Sequence, residues 1–131
     1  MRGCRDNFQI MSKIDHIEFW VSDLEKSIIF YEQLFRLINW NKVDANGFSD
    51  GESKIYFIQQ SVWFLNTVGP RHICFAEDSK EMVDNVGKFL KQNAGYIIRG
   101  PIHSVYKERH SYTIDFKDPD GYILEVTKSL D

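Results

Sequence analysis

The chain repeats itself. His16-Ile17-Glu18-Phe19 recurs as His72-Ile73-Cys74-Phe75, an offset of 56 residues. In 131 residues a repeat at that spacing means two copies of one supersecondary unit sharing a core. The offset continues into the helix starts. Ser22 and Asp78 are both N-cap residue types, and Glu25 and Glu81 each follow three residues later. That is a capping-box spacing in both halves.

Periodicity fills in the unit. Leu24, Ile28, Tyr31 and Phe35 recur at helical spacing, as do Met82, Val86, Phe89 and Leu90. Asn93-Ala94-Gly95 supplies a glycine stop. Strand-like segments follow each helix, over about 37–43, 53–59 and 61–66 in the first half and about 96–101, 111–117 and 121–128 in the second. The predicted class is α+β: two tandem βαβββ modules, about 13–66 and 70–128, in one domain spanning 1–131. Residues 1–12 form an N-terminal extension, with a second start available at Met11. A helix covers only one face of so small a sheet. The two modules are therefore expected to form a cupped, mostly antiparallel sheet with helices outside and a ligand site in the concavity.

Strand alternation sorts the side chains. Ile17, Phe19 and Val21 face the first helix, and His16, Glu18 and Trp20 face the cup. Ile73 and Phe75 face the second helix, while His72, Cys74 and Ala76 face away. Glu125 lies between the apolar Leu124 and Val126, so it shares the cup side with Ile123 and Thr127. A carboxylate buried there needs a partner. His16, His72 and Glu125 together make a set that suits a divalent first-row metal with open positions. The residues alone equally allow satisfied core histidines and a Glu125 paired with Arg71 or Lys54.

These motifs resemble a known family. His16-Ile17-Glu18-Phe19 with Asp23-Leu24-Glu25-Lys26-Ser27 and Phe30-Tyr31, then His72-Ile73-Cys74-Phe75, then Asp118-Pro119-Asp120-Gly121-Tyr122-Ile123-Leu124-Glu125-Val126 are similar to vicinal oxygen chelate proteins. These are the glyoxalases, bleomycin-resistance proteins and extradiol dioxygenases. The resemblance covers residues 13–128. It implies paired βαβββ modules around one divalent metal (Fe, Mn, Zn, Ni or Co) held by His16, His72 and Glu125. The family's fourth ligand position falls on Phe64, in Ser61-Val62-Trp63-Phe64-Leu65, and phenylalanine cannot bind a metal. The implied function is a metal-dependent lyase, isomerase, thiol transferase or dioxygenase acting on a substrate that chelates through adjacent oxygens. The alternative is a metal-free drug-binding protein. A homodimer is implied, with His16 either in the same chain as His72 and Glu125 or in its partner.

Glu18 and Asp115 are the candidate bases. Each also reads as a salt-bridged strand residue. Trp20, Trp63 and Phe64 are candidate substrate walls, and equally core. The segment 100–110 is read as an irregular lid, with Lys107 and Arg109 available to an anionic substrate group. Cys74 is read as a small buried hydrophobe.

Composition excludes other classes. Apolar residues are 43% and aromatics 15%, so the chain is globular rather than disordered. A net charge of −3 makes it a poor nucleic-acid binder by bulk charge. No apolar run reaches the roughly 18 residues of a membrane span. Two cysteines, Cys4 and Cys74, are too few for a disulfide framework, and the N-terminus carries no signal-peptide pattern. A cytoplasmic protein is expected.

Overall fold

A computed structural model describes residues 14–61 and 72–131. The strands are β1 (His16–Val21), β2 (Asn41–Asp44), β3 (Gly47–Ser49), β4 (Lys54–Gln59), β5 (Ile73–Ala76), β6 (Tyr96–Tyr106), β7 (Arg109–Lys117) and β8 (Ile123–Ser129). The helices are α1 (Leu24–Leu37) and α2 (Lys80–Gln92). Each module is βαβββ and forms its own four-stranded mixed sheet, ordered β1-β4-β3-β2 and β5-β8-β7-β6. β1 runs parallel to β4, and β5 runs parallel to β8. Among the described strands, both repeat strands, β1 and β5, are therefore outer edges.

The helix starts lie one residue later than the capping-box reading. Asp23 Oδ1 accepts from the Lys26 N–H at 3.1 Å, and Ser79 Oγ accepts from the Met82 N–H at 3.3 Å. Glu25 and Glu81 then fall in the first turn, where they complement the helix dipole rather than reach back to the cap. The freed Ser22 N–H turns to the Asp120 carboxylate, 3.2 Å away.

The apolar faces meet in one core across both modules. Tyr31, Phe35, Phe48, Phe57 and Phe116 are fully buried, each contributing roughly 1.5–3 kcal/mol relative to exposure. Phe35 and Trp40 of the first module edge against Phe75 of the second. The Asp118-Pro119-Asp120-Gly121 turn closes with the Gly121 N–H donating to the Asp118 carbonyl at 3.0 Å, and Gly121 takes φ +92°. The buried Asp118 carboxylate also accepts from the Tyr31 hydroxyl at 2.6 Å and from the N–H groups of Asp120 and Tyr122. One side chain thus ties α1 to the β7–β8 turn.

Two segments differ from the sequence reading. Residues 100–110 are not a lid but the far half of a long β-hairpin, β6–β7, turning at Lys107 (φ +57°) and Glu108. The strand expected over 96–101 instead runs through Gly100-Pro101 to Tyr106, as an edge strand with register shifts between Ile97 and Arg99 and between Arg99 and Ile102. Proline is tolerated at such a place because no ladder hydrogen bond is lost. In the first module, the strands after the helix are 41–44, 47–49 and 54–59, and Ser61 belongs to no strand. The remainder of the segment expected at 61–66, with Trp63 and Phe64, lies outside the described residues.

Candidate metal centre

Alternation along the ladder builds the site. Phe19 and Val21 are buried while His16, Glu18 and Trp20 are exposed. Phe75 is buried while His72 and Cys74 are exposed, and Leu124 and Val126 are buried on either side of a half-buried Glu125. Cys74 is paired with Glu125 in the β5–β8 register, which sets His72 close to the same carboxylate. The His72 Nε2 lies 3.1 Å from Glu125 Oε1. Neither Lys54 nor any described lysine or arginine pairs with Glu125.

That spacing fits two ligands of one ion. Donors about 2.1 Å from a first-row divalent ion, at octahedral to tetrahedral angles, lie roughly 3.0–3.4 Å apart. His72 and Glu125 contact each other directly on the cup face. Their surroundings are polar. Thr113, fully buried on β7, has its Oγ1 2.5 Å from Glu125 Oε2. Asp115 stands opposite Glu125 across β7–β8 and binds Arg99 Nε at 2.9 Å, while Arg99 Nη1 reaches Ser104 Oγ at 3.3 Å. Cys74 is exposed rather than a buried hydrophobe. Partial desolvation, then the charge and hydrogen bond of Glu125, push its thiol up to about 12. It therefore stays protonated at neutral pH.

His16 does not join this half. Its Nδ1 meets Asp15 Oδ2 at 2.8 Å and its ring edges onto Tyr56, with centroids 5.9 Å apart. Among the described residues, no three His, Cys, Asp or Glu side chains converge as a metal set. The Asp15 carboxylate occupies Nδ1, so Nε2 is the ring nitrogen without that partner. By the β1–β4 register, Glu18 stands beside Tyr56 as Cys74 stands beside Glu125. Tyr56 therefore takes the place in the first module that Glu125 takes in the second.

The other expected site residues divide by face. Glu18 Oε2 accepts from Trp20 Nε1 at 2.8 Å, and Trp20 is 48% exposed. Arg109 alternates with Ser111, Thr113 and Asp115, so it is on the Glu125 face but at the open end of the hairpin. Lys107 is in the turn, with its Nζ 5.6 Å from the centre of the Tyr106 ring. His103 and His110 lie on the opposite face and contact each other at 3.2 Å, so they do not face Glu125. Sequence reasoning missed Arg99, because the register shifts in β6 break the alternation that would have assigned it to the cup.

Residues 13–126 match the model of the Glyoxalase/Bleomycin resistance protein/Dioxygenase superfamily. The chain belongs to that superfamily. It is 33% identical over 126 residues to the metallothiol transferase FosB of Lysinibacillus sphaericus, covering 88% of this chain and 81% of that one. It is 29% identical to the virulence protein STM3117 of Salmonella typhimurium, covering 91% and 85%. Among solved structures, it is similar to a family enzyme from Burkholderia phytofirmans, with a TM-score of 0.70, 21% identity and coverage of 91% and 100%. A lactoylglutathione lyase from Agrobacterium tumefaciens gives a TM-score of 0.63, 21% identity and coverage of 91% and 95%.

Proposed function

We propose that this superfamily member is a divalent-metal-dependent enzyme of the thiol-transferase or lyase kind, acting on a small substrate that chelates through adjacent oxygens. The 3.1 Å approach of His72 Nε2 to Glu125 Oε1 carries this reading, and the metallothiol transferase relative supports it. The site is completed by His16 of a second copy. β1 and β5 are both sheet edges, and His16 and His72 are repeat-equivalent, so a two-fold pairing of β1 from one copy with β5 of the other sets the two imidazoles side by side. Within one chain, the described His, Cys, Asp and Glu side chains bring no group of three together.

A bound Fe, Mn, Zn, Ni or Co ion supplies a Lewis acid that polarises the chelating oxygens of the substrate. The chain's own groups do the rest. Glu18, held by Trp20, is the base candidate nearest His16 in sequence. Asp115 is engaged by Arg99 and serves to hold that cation on the cup face. Arg99, Arg109 and Lys107 supply positive charge for an anionic substrate group. Trp20, Trp63 and Phe64 are proposed as apolar wall. A reducing, cytoplasmic setting suits the free Cys74 thiol. The exposure of Trp20 favours a second reading, a metal-free binder of aromatic drugs.

Metal content by mass spectrometry, after purification without chelator and reconstitution with each ion, separates the two. The enzyme reading expects near one equivalent per chain, lost in Glu125→Gln. Absence of binding for all five ions would overturn it in favour of the binder.

A further inference from the structure

Resting on the metal reading, we propose that Thr113 is a positioning residue that fixes Glu125 as a one-oxygen ligand and thereby selects compact first-row ions over calcium. Thr113 is fully buried, and its Oγ1 has two acceptors within reach, Glu125 Oε2 at 2.5 Å and the Val126 carbonyl at 3.1 Å. A hydroxyl has one proton to give, and a carboxylate is the stronger acceptor. The shorter contact therefore takes the proton, which makes Oε2 the weaker donor to an ion than Oε1. The other oxygen, Oε1, is the one facing His72.

The fold builds this arrangement deliberately close. Thr113 and Asp115 alternate along β7, with Asp115 opposite Glu125 and Thr113 opposite Thr127, so the threonine reaches the carboxylate diagonally. On its other side β6 seals Thr113 from solvent. Gly100, at φ +92°, permits that approach, because a side chain there would run into the Thr113 carbonyl. A carboxylate with both oxygens free can clasp a large ion bidentately, as calcium prefers, with six to eight oxygen ligands. One oxygen beside an imidazole nitrogen suits Mn, Fe, Co, Ni or Zn.

The test is calorimetric titration of Mn²⁺, Zn²⁺ and Ca²⁺ into the full chain and its Thr113→Ser, Thr113→Val and Thr113→Ala variants, with circular dichroism to check folding. The expected result is a loss of about 10–100-fold in Mn²⁺ and Zn²⁺ affinity for Thr113→Val, with Thr113→Ser within about threefold of the parent. The preference for Mn²⁺ over Ca²⁺ should narrow by about tenfold in the hydroxyl-free variants. Thr113→Ala gives the same comparison if Val does not fold. Parent-like affinity and preference in the hydroxyl-free variants, with binding still lost in Glu125→Gln, overturns the role of Thr113 and leaves the metal reading standing. A parent chain that binds neither Mn²⁺ nor Zn²⁺ overturns both.

Discussion

The two modules share a backbone plan and differ in chemistry. In the second, His72, Glu125 and Thr113 are linked by side-chain contacts, and the Asp115–Arg99 pair lies beside them on the same sheet face. In the first, the equivalent face shows an exposed His16, a tyrosine where the other has its glutamate, and a Glu18 occupied by Trp20. Both modules thus share their strand order and their side-chain helix caps, Asp23 and Ser79, while among the described residues only the second brings a histidine and a glutamate into direct contact.

The strongest way to break that comparison is to disarm the second module. Glu125→Gln or His72→Ala should lower affinity for Zn²⁺ or Mn²⁺ by about 100-fold or more while leaving the melting temperature within a few degrees, read by titration and calorimetry. Loss of fold with unchanged metal uptake would make both residues structural. The next largest effect concerns what joins the modules. Asp118→Ala strands the Tyr31 hydroxyl and two backbone N–H groups, so unfolding in urea should show a loss of about 3 kcal/mol.

Asp118 also has a pH signature. Burial raises its carboxyl above the ordinary carboxylate range, against the opposing pull of Tyr31 and the turn N–H groups. A carboxyl raised on folding binds its proton more tightly in the folded state. Its contribution is present below the ordinary carboxylate pKa and is lost as pH rises through the raised folded value. Melting curves across that interval should show the decline in the parent and not in Asp118→Asn.

Cys74 sharpens the contrast further. In a Cys4→Ser background its alkylation at pH 8 should run at least about tenfold slower than that of an ordinary exposed thiol. Glu125→Gln, which removes the neighbouring charge, should speed it. Equal rates in both proteins would mean that Glu125 does not act on the thiol. The smallest effect is expected for Arg99→Ala. A half-exposed ion pair contributes less than about 1 kcal/mol, so any loss should appear in substrate affinity rather than in melting.

The repeat and the alternation made much of this legible. The offset that links His16 to His72 also links their edge strands, and the buried neighbours of Glu125 marked it as a carboxylate in need of a partner. What stayed hidden has physical causes. Residues 100–110 read as irregular because the register shifts on either side of Arg99 break the alternation, yet β6 continues through them as an edge strand. The same shifts concealed Arg99. The Thr113 contact depends on a diagonal across two strands, which spacing in one strand does not reveal. Each cap lies one residue further on because Ser22-Asp23 and Asp78-Ser79 both offer two cap-type residues in a row, and spacing alone does not choose between them.

Complementation tests the proposed sharing of one site between two copies most directly. His16→Ala and Glu125→Gln chains, each unable to bind metal alone, are unfolded together, refolded and reconstituted with Zn²⁺. In a shared site the mixed dimer contains one lesion-free constellation, so metal content should recover to about a quarter of an equivalent per chain. No recovery in the mixture, with one equivalent bound by the parent, would contradict a site built from two chains.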